Sequence, residues 1–168
     1  MKKIIVASFI CVLFAAVLIS SCKKITYASI GEPISLQQNL IGNWKLDSIE
    51  QVDQNAVDKG FPAYVQKQNI TGLFGYSTVS ASFTSGGDYT FTNPDNAPLF
   101  FDAAGKWTLV ENGGPLRIKL AGADRTDTLD FAKAYRVSDN KLALRYNRAF
   151  YTGAKKVFVY YNFNFSKK

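Results

Sequence analysis

Two cysteines, thirteen carboxylates and no histidine bound the chemistry open to this chain of 168 residues. Without imidazole there is no serine–histidine or cysteine–histidine nucleophile pair, and no histidine-ligated zinc or haem. Glu32, Glu50 and Glu111 are the glutamates, and the aspartates fall mainly in turns or at the edges of apolar runs. Nothing in that spacing marks a carboxylate pair for glycoside hydrolysis. The chain is therefore expected not to be an enzyme, and no cofactor is implied. Asp124-Arg125-Thr126-Asp127-Thr128-Leu129-Asp130 offers oxygen ligands, but it lacks the glycine and closing glutamate of an EF-hand loop. A polar turn facing water is the simpler expectation, and no metal site is assigned. Two cations interrupt apolar runs: Lys133 between Phe131 and Tyr135, and Arg148 between Tyr146 and Phe150. A buried cation without a partner is costly, so either a bulge turns each outward or each meets something inside the fold.

One cysteine has a context that gives it a reaction. Ile19-Ser20-Ser21-Cys22 looks like a bacterial lipobox, in which a signal peptidase cuts before the cysteine and its sulfur takes a diacylglyceryl group. The preceding residues have the layout of an export signal: Lys2 and Lys3, then the apolar Ile4 to Ile19 interrupted by Ser8. The alternative is a helix that stays in the membrane. That stretch is short of the roughly 20 apolar residues a span needs, and Lys23-Lys24 follow at once. Two or three acyl chains of the palmitate kind suffice for stable anchoring, so the expectation is a membrane tether at Cys22. In proteins with such a motif, an aspartate after the cysteine favours the inner membrane. Lys23 stands there instead, which implies the outer membrane, and Lys23-Lys24-Ile25-Thr26 has no acidic run of the kind that directs surface export. A periplasm-facing position in the cell envelope follows.

The expected organisation is a signal peptide over 1–21, lipidated Cys22 with a tether over 22–34, and one domain over 35–168. Cys11 leaves with the signal and Cys22 goes to lipid, so the domain must stand on core packing without a disulfide. The net charge of +7 falls to +5 once Lys2 and Lys3 are removed. Scattered basic residues read as a solvated surface or a weak attraction to anionic headgroups. Nucleic acid is not expected as a partner.

The elements of that domain are strands. Ser35 caps one helical turn bearing Leu36 and Leu40, and Ile41 to Asp47 reads as a first strand with Trp44 and Leu46 pointing one way. Val52 to Gly75 is a long insertion holding a short helix over Ala63–Gln68, with Pro62 at its start. Alternating runs then follow: Tyr76–Thr84, Tyr89–Phe91, Gly105–Val110, Leu116–Leu120, Thr126–Val137, Lys141–Tyr151 and Val157–Phe165. Eight strands joined mostly by tight turns predict an all-β, antiparallel up-and-down barrel, with a two-sheet sandwich as the alternative. A transmembrane barrel is set aside, because outward positions such as Arg117, Lys119 and Arg145 are too polar to meet lipid.

Leu40-Ile41-Gly42-Asn43-Trp44-Lys45-Leu46, after a helical turn and before a long first loop and meandering strands, resembles the lipocalin-like proteins, specifically lipocalin-like bacterial lipoproteins of the Bacteroidota type. The likeness runs from about Leu36 to Phe165. The turn Val137-Ser138-Asp139-Asn140-Lys141 departs from the Thr-Asp-Tyr pattern of lipocalins proper. The chain also ends on a strand, as fatty-acid-binding proteins do, where lipocalins end on a helix. The resemblance implies a ligand-binding interior built from Trp44, Phe131, Tyr135, Tyr146 and Tyr161, with Lys133 and Arg148 as its cations. It leaves three roles for Arg148: packing on Trp44, facing outward, or, like Lys133, meeting a ligand carboxylate. Phe83, Phe91, Trp107, Leu144 and Phe163 complete the expected interior, with Val52–Gly75 as a lid. The partner is then either a small, largely apolar ligand or, if aromatics fill the barrel, an envelope protein docked on Phe61-Pro62-Ala63-Tyr64 and Leu99-Phe100-Phe101.

Overall fold

A computed structural model describes residues 35–94, 97, 100–110, 116–133, 140–149 and 156–168. Cys22, the residues before it, the tether and Tyr135 lie outside them. The first element, α1, is Leu36–Leu40, with the Ser35 hydroxyl accepting from Gln38 N at 3.4 Å. Strand β1 (Gly42–Asp53) leads into α2 (Gln54–Asp58), α3 (Ala63–Gln66), a short β2 (Lys67–Asn69) and a 3-10 stretch over Leu73–Thr78. The remaining strands are β3 (Ser80–Phe83), β4 (Asp88–Thr92), β5 (Ala104–Val110), β6 (Arg117–Gly122), β7 (Thr126–Phe131), β8 (Lys141–Ala149) and β9 (Val157–Lys167). Each of β3 to β8 pairs antiparallel with the next, β1 pairs with β3, and β1 also pairs with β9. That last pairing closes an eight-stranded barrel and excludes the sandwich. β2 is a ninth, short strand added to β1 beyond the reach of β3.

Several boundaries differ from the sequence reading. The strand expected from Tyr76 begins only at Ser80, because Phe74 (φ 53°) and Gly75 (φ 72°) take left-handed conformations that coil the chain before it can extend. Pro62 is the N-cap of α3, and Gln68, expected in that helix, lies in β2. β7 stops at Phe131, short of the strand expected to Val137, part of which lies outside the described residues. β1 is longer than expected because a register shift between Leu46 and Ser48 re-phases it. Trp44 and Leu46 face inward before the bulge, Ile49 and Gln51 after it, and the chain follows the barrel curve without losing its partner. Asp47, thrown outward there, is held by Lys141 Nζ at 2.9 Å and Ser166 Oγ at 2.8 Å.

Since all neighbours are antiparallel, the two ends of the barrel are well separated by chain direction. One end gathers α1, the start of β1, the β3–β4 turn and the end of β9. Here Trp44 is fully buried, its indole N–H donates to Leu40 O at 2.9 Å, and Lys167 Nζ sits 5.4 Å from the ring centroid while donating to Asn39 O. Gly42 adopts φ +130°, and a Cβ there would lie 3.0 Å from Lys167 Cε. Glycine is what lets the lysine lie flat across the indole. The cation on Trp44 is thus Lys167, which replaces Arg148 in that expected role. The other end gathers α2, α3, the 3-10 stretch, the described residues of the connection between β4 and β5, and the β6–β7 turn.

The outward faces are polar. Arg145 Nε donates to Asn162 Oδ1 and its guanidinium stacks on Tyr160 at 4.3 Å, while Asn147 donates to Asp130 and Asn164 to Ser48. No helix among the described residues is long and apolar enough to cross a membrane.

Candidate functional site

The inward faces of β1, β9 and β8 form a ladder whose chemistry changes with height. Leu46, Phe165 and Leu142 lie side by side in register, followed by Ile49, Phe163 and Leu144. None of these six is more than 3% exposed. The next rung is Gln51, Tyr161 and Tyr146, continued by Gln68, which pairs with Gln51 across β2. Cross-strand neighbours on one face are in contact distance, so this rung sets two amides and two phenols in a row. One step further along β8 stands Arg148, beside Val159. Polar tips appear where the interior stops being dry, as the cost of burying unpaired polar groups requires.

This rung lines a cavity of about 370 Å³ at the open end. Its apolar side comes from Ile70, Leu73, Phe74 and Tyr76, with Phe100 completing the enclosure and Arg125 and Arg148 at the rim. The 3-10 coil that cut β3 short is therefore what delivers this wall. Phe100 and Phe101 turn into the barrel. The Phe100 ring is 4.8 Å from Tyr161, 5.1 Å from Phe163 and 5.4 Å from Tyr76, and Phe101 is 5.3 Å from both Tyr146 and Phe163. Beneath the cavity the interior is filled.

Asp102, next in sequence, latches this plug to the opposite turn. Its carboxylate accepts from Asp124 N at 3.0 Å and Arg125 N at 3.3 Å, and Arg125 Nε lies 3.8 Å away. A Cβ on Gly122 would come within 1.9 Å of Asp102 Oδ2, so only glycine leaves room for the latch. Arg125 Nε is 3.0 Å from Asp127 Oδ2, and Asp127 Oδ1 accepts from the Tyr146 hydroxyl at 3.2 Å. Burial, then the Asp127 charge and hydrogen bond, push the Tyr146 phenol above its ordinary pKa, against the opposing Arg125 and Arg148 charges. It stays a neutral donor. Burial and the neighbouring Tyr161 do the same for Tyr76.

A family model described as a lipocalin-like domain matches residues 40–144, more than half of the chain. The chain belongs to the lipocalin-like family. No curated protein matches it.

In this lipocalin-like barrel the residues picked out from sequence divide between the two ends. Tyr146, Tyr161 and Arg148 line the cavity. Trp44 lies at the α1 end, sealed from solvent, and Phe131 and the exposed Lys133 stand at the far end of β7, so none of the three reaches it. Tyr135 lies outside the described residues. The expected lid contributes only its later part, Gln68 to Phe74, and Phe61 and Tyr64 remain exposed. Phe100 and Phe101, expected to face a partner, face the interior instead, since their apolar rings find an unfilled barrel mouth.

Sequence reasoning missed Gln51, Tyr76, Phe100 and Arg125 as lining residues, and placed Gln68 and Phe74 only within the expected lid. Gln51 was hidden by the bulge, which changes the parity of β1; Arg125 was read only as part of a polar turn. Among the described residues no group of three or more histidine, cysteine or acidic side chains could hold a metal ion.

Proposed function

We propose that this lipocalin-like protein is an outer-membrane lipoprotein, anchored through acylated Cys22 and facing the periplasm, that binds a small, largely apolar ligand without transforming it. The observation that carries the binding reading is the cavity of about 370 Å³, walled by aromatic and aliphatic side chains with a few polar groups converging on it. That composition and size suit a small-molecule site. The anchor is supported by sequence: Lys2-Lys3, the apolar Ile4–Ile19 and the Ile19-Ser20-Ser21-Cys22 motif.

Native mass spectrometry of the full protein taken from its own envelope tests the binding half. A discrete added mass is the expected result, and a bare polypeptide mass across gentle conditions counts against a carrier. Metabolic labelling with a palmitate analogue tests the anchor. Wild type should incorporate label and Cys22→Ser should not.

A second reading is a scaffold whose loops dock on an envelope protein. It is favoured by the filled interior below the cavity and by Tyr64 and Phe61, which are 83% and 45% exposed. Crosslinking from Tyr64 in intact envelopes would reveal such a partner.

A further inference from the structure

The two cations at the cavity rim are not equivalent. Arg125 is engaged, with Asp127 at 3.0 Å and Asp102 at 3.8 Å. Arg148 has no ion-pair partner among the described residues, and its cross-strand neighbour on β9 is the uncharged Val159. It continues the inward series Leu142, Leu144 and Tyr146 along β8, so it sits directly above the polar rung. Arg148 is exposed at the rim, with no ion pair among the described residues, and its guanidinium presents a planar fork of donors suited to a carboxylate or a similar oxyanion.

The rest of the cavity limits the remainder of the ligand. Its apolar wall is aromatic: Phe74 and Tyr76 meet edge to face at 5.9 Å, and Tyr76 and Phe100 meet at 5.4 Å. Flat rings lie well against such faces. A long flexible chain cannot run down into the barrel, because Phe100, Phe101 and Phe163 occupy it immediately below. Gln51 and Gln68 provide amide donors and acceptors for a polar edge.

Resting on the reading of this cavity as a ligand site, we infer that its ligand class is a compact, planar anion. Its charged group pairs with Arg148 and its ring lies against Phe74, Tyr76 and Phe100.

Calorimetric titration of the full-length protein with 2-naphthoate and the near-isosteric, neutral 2-naphthamide tests this. Wild type should prefer the anion by about tenfold or more, the scale of one charge-assisted pair. Arg148→Gln should bring naphthoate down to the naphthamide level, and Arg148→Lys should fall between. Arg145→Gln removes the same charge from the outer face, where Arg145 is stacked on Tyr160, and should leave the preference intact. Equal affinities in wild type, or equal losses in Arg145→Gln and Arg148→Gln, would overturn the anionic class while the cavity still binds the amide. If neither compound binds, the inference fails, and the native mass spectrum decides separately whether the cavity holds anything.

Discussion

The two ends of this barrel use aromatic residues for opposite purposes. At the α1 end, Trp44 is capped on every side: by Leu40 O on its indole N–H, by Lys167 across its face, and by a glycine that lets the lysine approach. At the open end, Tyr76, Tyr146, Tyr161 and Phe100 surround a space that side chains leave empty. Strand pairing alone does not produce the asymmetry, since β1, β8 and β9 run from one end to the other in continuous register apart from their bulges. It comes from the connections. The five residues of α1 place Leu40 over Trp44 at one end, whereas the chain between β1 and β3 brings only its last part over the other. The lesson is that an aromatic covered by a local helix and a flattened lysine marks the stabilising end, and aromatics that border empty space beside polar side chains mark the end available for recognition.

The largest expected effect belongs to the sealed end. Trp44→Ala should lower unfolding free energy by about 3–5 kcal/mol, the range for truncating a fully buried aromatic, read from urea melts. A loss below about 1 kcal/mol would break the comparison.

Phe100→Ala should behave differently. Its ring is only partly buried, so the stability cost should be about 1–3 kcal/mol, while the cavity deepens and naphthoate affinity changes. Unchanged affinity would mean that the plug is not part of the site.

Lys167→Met removes the cation from Trp44 and should cost about 1 kcal/mol with no effect on naphthoate binding. Coupling to binding would show that the ends communicate.

The smallest effect is a pH dependence. Burial opposes ionisation of Asp47 more than any other single influence, but hydrogen bonds from Lys141 and Ser166 and the charges of Lys141 and Lys45 together outweigh it and hold the carboxyl below its ordinary pKa. A depressed folded pKa gives stability that is complete above the unfolded value of 3.8 and is lost as pH falls through the folded value. Asp47→Asn should therefore cost under about 1 kcal/mol at neutral pH, given its solvent exposure, and the difference from wild type should vanish in acid. A difference that persists at low pH would assign the effect to the bulge geometry instead.

Much of the fold was legible because its signals are local. Period-two alternation at Val79-Ala81-Phe83, Ile118-Leu120 and Tyr161-Phe163-Phe165 gave the inward face directly, and Ser35 announced α1 by its capping chemistry. The site was legible only in part. Tyr146, Tyr161 and Arg148 share an alternating strand face, whereas Gln51 and Gln68 join them through a bulge in β1 and through β2, neither of which leaves a pattern in sequence.

What the sequence by itself determined is the class of the molecule. Alternation, turn residues and the absence of histidine specify an antiparallel meander of strands and exclude imidazole chemistry, because each depends on residue type and near-neighbour spacing alone; closure into a barrel rests on the long-range pairing of β1 with β9. Only the tertiary structure decided which aromatics fill and which enclose, that Lys167 covers Trp44, and that Phe100 turns inward above a latch made by Asp102. Those outcomes depend on which side chains meet across strands distant in the chain. That is settled by register, bulges and the packing of whole connections, and no local pattern encodes it.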